Sequence, residues 1–293
     1  MSTNPSFLGR YRLLNVVNTG QTSRIWQAYD DSANQFVALK TLLQDFRNNR
    51  AQIGLLKWEH AVGSQLHHER VISITEYGTS RGTPYLAMEW FAAPNMKMVI
   101  RQGLDKIGYL VPKIALQATE ALAYVGAQGW VHRDIKPENF LVAEDGSVKL
   151  IDFALARRSK KGFWAKLFTP RTKIQQGTRS YMSPEQIRGL PLDERADLYS
   201  LACTLFELVG GRPPFTGISE RDLLVKHLKA APPPLPVYNK NVTPEFTDLV
   251  RRAMSKDPAA RFDSVGDFYA ELKRTRIFRR DPAPPEQVRE TGA

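Results

Sequence analysis

The 293-residue chain has a single cysteine, Cys203. That excludes an internal disulfide, argues against a Cys-ligated zinc site, and fits a reducing compartment. No uncharged apolar run approaches the roughly 20 residues needed to cross a bilayer. The start, Met1-Ser2-Thr3-Asn4-Pro5, has neither the basic opening nor the apolar stretch of a signal peptide. A soluble cytoplasmic protein without a transmembrane segment is the expectation. Internal repeats are lacking, as are zinc-finger, helix-turn-helix and RNA-binding signatures, so nucleic acid is not expected as a partner. Acids are missing altogether from Arg157 to Arg179, a stretch that holds eight basic residues.

Lys plus Arg number 41 against 30 Asp plus Glu, a net charge of +11. The surplus is concentrated in that stretch and in a second cluster running from Lys273 to Arg280. The first reads either as a solvated basic loop or as one that binds phosphate or acidic groups. Hydrophobic residues make up 42% and charged residues 24%, enough to bury a sizeable core. At roughly 150 residues per domain, the length predicts two domains or one two-lobed unit.

A small β-rich part precedes a larger helical one. Strands are predicted at Tyr11–Val17, from Ile25, at Phe36–Leu39, at Val71–Tyr77 and at Tyr85–Phe91, with a helix at about 48–66. After Pro94 the period changes. Ile114, Ala118, Ala121, Leu122 and Val125 mark a helix over 112–128, and Glu144-Asp145-Gly146 is a hairpin signal between 140–142 and 148–151. Further helices are predicted at 194–209 and 243–254, the latter with Thr243 as cap and Pro244 at its first position. The tail beyond Arg279 is expected to lack stable structure.

The most informative stretch is His132-Arg133-Asp134-Ile135-Lys136-Pro137-Glu138-Asn139, placed in a loop between helix and hairpin. Asp134 is suited to accept a hydroxyl proton or orient a nucleophile, and Lys136 to neutralise a transferring phosphoryl group. Asn139 offers a neutral oxygen to magnesium. Beyond the hairpin, the run Val148–Ile151 delivers a second oxygen ligand, Asp152.

This stretch resembles the H-R-D-L-x-x-x-N catalytic loop of the eukaryotic-type (Hanks-type) protein kinases, with Lys136 as in the Ser/Thr branch. Val37-Ala38-Leu39-Lys40 resembles V-A-I-K, Asp152-Phe153-Ala154 resembles D-F-G, and Ser183-Pro184-Glu185 resembles A-P-E. The resemblance spans roughly residues 10–275 and has the style of bacterial members. It implies an α+β, bilobal kinase-like fold: a leader at 1–9, a β-rich N-lobe at 10–91, a mainly helical C-lobe at 92–275, and a basic, Pro-rich tail at 276–293. The implied activity is transfer of the ATP γ-phosphoryl group to Ser/Thr hydroxyls of protein substrates, with ATP and Mg2+ as cofactors. Asp134 and Lys136 would be catalytic, with Asn139 and Asp152 holding the metal. Lys40, paired with Glu59, would hold the ATP phosphates. The loop Val17-Asn18-Thr19-Gly20-Gln21-Thr22-Ser23-Arg24-Ile25 would cover them, and Glu89 and Phe91 would frame the adenine edge. Glu185–Arg261 resembles a buried ion pair and Asp197 an anchor for the catalytic loop. Lys40, Asp134, Asn139 and Asp152 would gather on one nucleotide–metal complex.

Three positions depart from the pattern. The phosphate-covering loop keeps only Gly20 of its glycines, which predicts a looser cover. Ala154 replaces the D-F-G glycine and narrows backbone freedom there. Gly63, four residues after Glu59, stands where a large apolar residue is usual, so a loosely packed helix is expected, with Val62 filling the gap. These departures keep open a catalytically silent scaffold. A small-molecule phosphotransferase is the third reading. Regulation is expected through Arg133 and a phosphate on Thr169 or Thr172, placed by autophosphorylation, for which self-association is a partner mode.

Overall fold

The computed structural model describes residues 6–159 and 178–284. They fall into two compact units. One comprises the described residues up to Ala92 together with Lys149–Ala156; the other comprises Ala93–Val148 and those from Arg157 onward.

The first unit is built on an antiparallel sheet of β1 (Phe7–Leu8), β2 (Tyr11–Thr19), β3 (Ser23–Asp30) and β4 (Gln35–Leu42), followed after helix α1 (Arg50–Gly63) by β5 (Ile74–Ser80) and β6 (Thr83–Glu89). The strand order is β1-β2-β3-β4-β6-β5. Register sets the two faces, because directly paired residues project to the same side. Trp26 pairs with Leu39 and Leu39 with Ala87; Ile25 pairs with Lys40 and Lys40 with Leu86. The first set shares a face with Leu8, Tyr11, Ala28, Val37 and Tyr85, a buried apolar cluster. The second face carries Lys40, which meets α1. Asn49 caps that helix, its side chain accepting from Ala51 and Gln52 N–H at 3.0 and 3.2 Å.

In the second unit come α2 (Met96–Ile100), α3 (Leu104–Ile107), α4 (Val111–Ala127), β7 (Trp130–Val131) and β8 (Phe140–Val142). They are followed by β9 (Val148–Leu150), at whose second residue the chain enters the first unit, and by β10 (Arg157–Arg158). Then come α5 (Pro184–Ile187), α6 (Glu194–Gly210), α7 (Glu220–Lys229), α8 (Pro244–Ala253) and α9 (Val265–Leu272). Helix α6 is buried along nearly its whole length, from Ala196 to Val209. It packs against α4 and α8, and α4 packs against α9. Because it is buried all round, with Asp197, Ser200, Thr204 and Glu207 inside among the apolar residues, its sequence shows only a weak amphipathic stripe.

Several expectations differ from this architecture. Residues 149–156 group with the β-rich unit rather than with the helical one, because Ile72 N–H donates to Leu150 O (3.0 Å) and Leu150 N–H to Arg70 O (2.8 Å). The tail boundary after 275 is not a structural one. Ile277 and Phe278 are buried, Thr243 N–H donates to Ile277 O (3.0 Å), and Arg279 N–H donates to Asn241 O (2.7 Å). The strand predicted at 71–77 lies at Ile74–Ser80.

Candidate active site

In the first unit, Lys40 projects from β4 into a group of charges. Its Nζ donates to Glu59 Oε2 at 2.7 Å and lies 3.5 Å from Asp152 Oδ1. Glu59 comes from the buried side of α1, and its side chain is 3% exposed against 38% for Asp152. The sheltered carboxylate therefore holds the lysine, and the exposed one is open to a ligand. Burial pushes the Glu59 carboxyl up to about 7, with the Asp152 charge adding and Lys40 opposing. Burial alone would lower the Lys40 ammonium, but Asp152 and Glu59 more than offset it, so it stays charged.

Gly63, the last residue of α1, is not a gap. A Cβ built there would lie 2.3 Å from Ile74 Cδ1 and 2.9 Å from its Cγ1. Ile74 of β5, not Val62, occupies the space, and both are buried. The expected loose packing is thus corrected: the missing side chain on the helix is supplied from the neighbouring strand.

Asp152 has φ 69°, whereas Ala154 is not among the positive-φ residues. Backbone strain therefore sits on the carboxylate residue, and the methyl of Ala154 meets no left-handed requirement. Phe153 is fully buried. The Trp58 indole N–H of α1 donates to Ala156 O at 2.7 Å, tying this segment to the helix.

The predicted phosphate-covering residues lie on β2, β3 and the turn between them. Asn18 pairs with Ile25 and Thr19 with Arg24, while Val17 falls at a register shift of β2. Gly20 N–H donates to Ser23 O at 2.8 Å, closing a turn through Gln21 and Thr22. Gly20 lacks a positive φ, and a Cβ there would meet only Ser23 O, at 3.6 Å. Its ability to adopt left-handed geometry is not what this turn uses. The Arg24 guanidinium lies 5.4 Å from the Trp26 ring centroid, on the sheet face opposite Lys40. Glu89 ends β6. Its N–H donates to Ser73 O at 2.8 Å, and its carboxylate meets Lys149 Nζ at 2.6 Å, close to the Phe91 ring.

The second unit holds the loop predicted to be catalytic. Asp134 is buried. Its Oδ2 accepts from Lys136 Nζ at 2.8 Å and from Asn139 Nδ2 at 3.0 Å, and its carbonyl accepts from Asn139 Nδ2 at 2.7 Å. Using the Asn139 nitrogen this way leaves its carbonyl oxygen as the end suited to a metal. Asp197 of α6 accepts from His132 N–H at 2.6 Å and Arg133 N–H at 2.8 Å. Those bonds hold Arg133 at φ 72°. Burial raises the Asp197 carboxyl to about 7 despite the two N–H groups. Gln186 Nε2 donates to Arg133 O at 3.0 Å. Glu185 and Arg261 form a buried bidentate pair at 2.6 and 2.8 Å. Burial, then the neighbouring Arg157, lowers the Arg133 guanidinium, with Asp197 opposing. Thr169 and Thr172 lie outside the described residues.

The family model for the protein kinase domain matches residues 11–269. The chain belongs to the eukaryotic-type protein kinases. It is 33% identical over 287 residues to serine/threonine-protein kinase PknA of Mycobacterium tuberculosis, covering 95% of this chain and 64% of PknA. It is 32% identical over 269 residues to serine/threonine-protein kinase PrkC of Bacillus subtilis, covering 90% of this chain and 40% of PrkC. A probable serine/threonine-protein kinase of Clostridium perfringens is 32% identical over 273 residues, covering 93% of this chain and 39% of the relative. The chain thus spans only part of the curated relatives it matches. The family fold is α+β, with a β-sheet unit and a helical unit. In this kinase the Gly63–Ile74 exchange is a feature that motif reading missed, because its partner lies on another strand.

Proposed function

We propose that this kinase transfers the γ-phosphoryl group of ATP to serine and threonine hydroxyls of proteins. The observation that carries the reading is Lys40 held between a buried carboxylate and an exposed one. That arrangement presents an ammonium to phosphate oxygens while Asp152 remains open to a cation. Phosphoryl transfer depends mainly on positioning and charge stabilisation. Asp134 accepts the hydroxyl proton as the substrate oxygen bonds to the γ-phosphorus and the bond from that phosphorus to the β,γ-bridging oxygen breaks, releasing ADP, and Lys136 offsets charge on the transferring group. The donor set suits magnesium, a hard cation that takes one or two carboxylates plus substrate phosphates. Asp152 and the Asn139 carbonyl oxygen would hold it, and when bound it neutralises the phosphate oxygens.

The test uses labelled ATP, magnesium and generic protein substrates. The wild type should label Ser and Thr, and Asp134→Asn should lose about 10²–10⁴-fold in rate while still binding ATP. ATP binding without transfer by the wild type would favour the scaffold, and labelling of small molecules alone would favour the third reading.

Regulation by autophosphorylation at Thr169 or Thr172 is part of the proposal, with transient self-association as its route. Its support is the position of Arg133 beside a second guanidinium, Arg157, a concentration of positive charge suited to a phosphate. Phosphosite mapping of wild type and Asp134→Asn after ATP treatment tests it. Full activity of a Thr169→Ala/Thr172→Ala variant would overturn it. Among the described residues no helix is long and apolar enough to cross a membrane. A cytoplasmic place is part of the proposal, on the ground that the single cysteine suits a reducing compartment.

A further inference from the structure

The first unit's sheet has two faces, and the reading above uses only the one that bears Lys40. Near the β1 end of the opposite face lies a cavity of about 200 Å³. Leu8, Leu13, Trp26, Leu42 and Leu43 supply its apolar wall, and Thr41, Gln44 and Thr83 a polar one. The Trp26 indole N–H is already satisfied by Thr41 Oγ1 at 3.1 Å, so the ring offers the cavity its hydrophobic surface. At the rim stand two cations, Arg24 and Arg47, and the lining contains no acidic residue.

Neither guanidinium has a carboxylate partner among the described residues. Arg24 Nε donates to Thr19 Oγ1 at 3.3 Å, a bond that leaves its terminal nitrogens for another acceptor. Two guanidiniums beside a hollow with one apolar wall are complementary to a molecule with an anionic head and a short hydrocarbon body. The volume lies below the roughly 300–1,000 Å³ of drug-sized pockets, so the body must be short.

We propose that this cavity is a binding site for a small amphipathic carboxylate, the acid meeting Arg24 and Arg47 and the apolar chain lying against Trp26. It lies on the other side of the sheet from Lys40: Trp26 and Arg24 pair with Leu39 and Thr41, whereas Ile25 pairs with Lys40, so Arg24, expected from the motif to cover the phosphates, projects to the cavity side instead. A saturated chain gains by burial against the leucines, and the carboxylate gains a bidentate partner that water alone does not supply. An alcohol of the same length has the first gain without the second, and acetate has the second without the first.

The experiment is isothermal titration of the full chain with octanoate, 1-octanol and acetate. It is repeated on Arg24→Gln, Arg47→Gln and the double variant, with the Trp26 indole followed by NMR. Both arginines project at the cavity rim, and unliganded melting curves check that the variants fold. Octanoate should bind one-to-one and shift the Trp26 signal. Octanol, acetate and the double variant should each bind at least about tenfold more weakly, the loss of a charged hydrogen-bond pair. Equal binding of octanoate and octanol, octanoate binding unchanged in the double variant, or no saturable octanoate binding below about 10 mM overturns the proposal.

Discussion

Replacing Gly63 by alanine should damage this kinase, although alanine is the better helix former. The gain from Gly→Ala in a helix is at most about 1 kcal/mol, and smaller at a last turn. Against it stands the Cβ position 2.3 Å from Ile74 Cδ1, 2.9 Å from Cγ1 and 3.2 Å from Cβ. Ordinary contact needs 3.4 Å or more, so helix and strand must separate by about an ångström or Ile74 must leave its rotamer. Overpacking of this kind costs about 1–3 kcal/mol, which outweighs the propensity gain. The displaced turn is the one after Glu59, so the 2.7 Å bond to Lys40 should lengthen and the KM for ATP should rise. Ile74→Ala alone removes the obstructing atoms but leaves a cavity, costing about 2–5 kcal/mol. The double variant should recover part of both losses, a favourable coupling of about 1–3 kcal/mol in a double-mutant cycle. Denaturant unfolding and ATP kinetics on the four proteins decide it. A fully stable, fully active Gly63→Ala, or a double variant no better than Ile74→Ala, would refute the reasoning.

Lys40→Met should abolish transfer and destabilise the fold by about 1–3 kcal/mol, since the buried Glu59 carboxyl, already held near 7, takes up a proton and is left without its hydrogen-bond donor; calorimetry beside an activity assay separates the two effects. Ala154→Gly should leave the rate within about threefold and lower stability by about 0.4–1 kcal/mol, because the native backbone there asks for no glycine and the unfolded chain gains freedom. Gly20→Ala should melt like the wild type, as its Cβ has room; any loss should appear in the KM for ATP. His227 is buried against the Tyr199 hydroxyl (3.0 Å), and burial, helped by Lys256, depresses its ring to about 4. The unfolded chain then binds the proton more readily, so this residue's contribution is intact above about pH 6.5 and is lost as pH falls toward 4. The slope is at most about 1.4 kcal/mol per pH unit. His227→Gln should flatten that part of the stability–pH curve, measured by urea unfolding.

Much of this was legible because pattern and partner were local. The stripe of α4 placed it at 112–128, against Val111–Ala127 in the structure, and Thr243 caps α8 through the Phe246 N–H as its sequence implies. Where the partner is distant, the pattern misled. Val71 and Ile72 read as a strand, but they join Leu150 instead of β6. Gly78 lies inside β5, where only glycine fits: a Cβ would come 2.3 Å from the Tyr85 ring. Helix α7 was not picked out although Leu224, His227 and Leu228 line one side, because only His227 is fully buried and lysines and acids interrupt the run. Helix α9 was readable in principle, from Ser264 with Asp267 three residues on and Val265, Phe268 and Leu272 behind them. Among the candidate residues, spacing pointed to Asp134 and Asn139, the hairpin to Asp152, and the family resemblance to Lys40. None of these gave access to the Ile74 side chain that completes α1.

The return of Lys149–Ala156 to the β-rich unit bears on the order in which the protein can form on a ribosome. When Ala92 has left the exit tunnel, every strand from β1 to β6 is already in the nascent chain, but the partner of Ile72 and Arg70 is not. Neither is the second carboxylate beside Lys40, which arrives only with residue 152. Until then the nascent sheet carries an open flank and a lysine–glutamate pair without its third charge, so its last step of maturation waits on more than fifty residues that belong to the other unit.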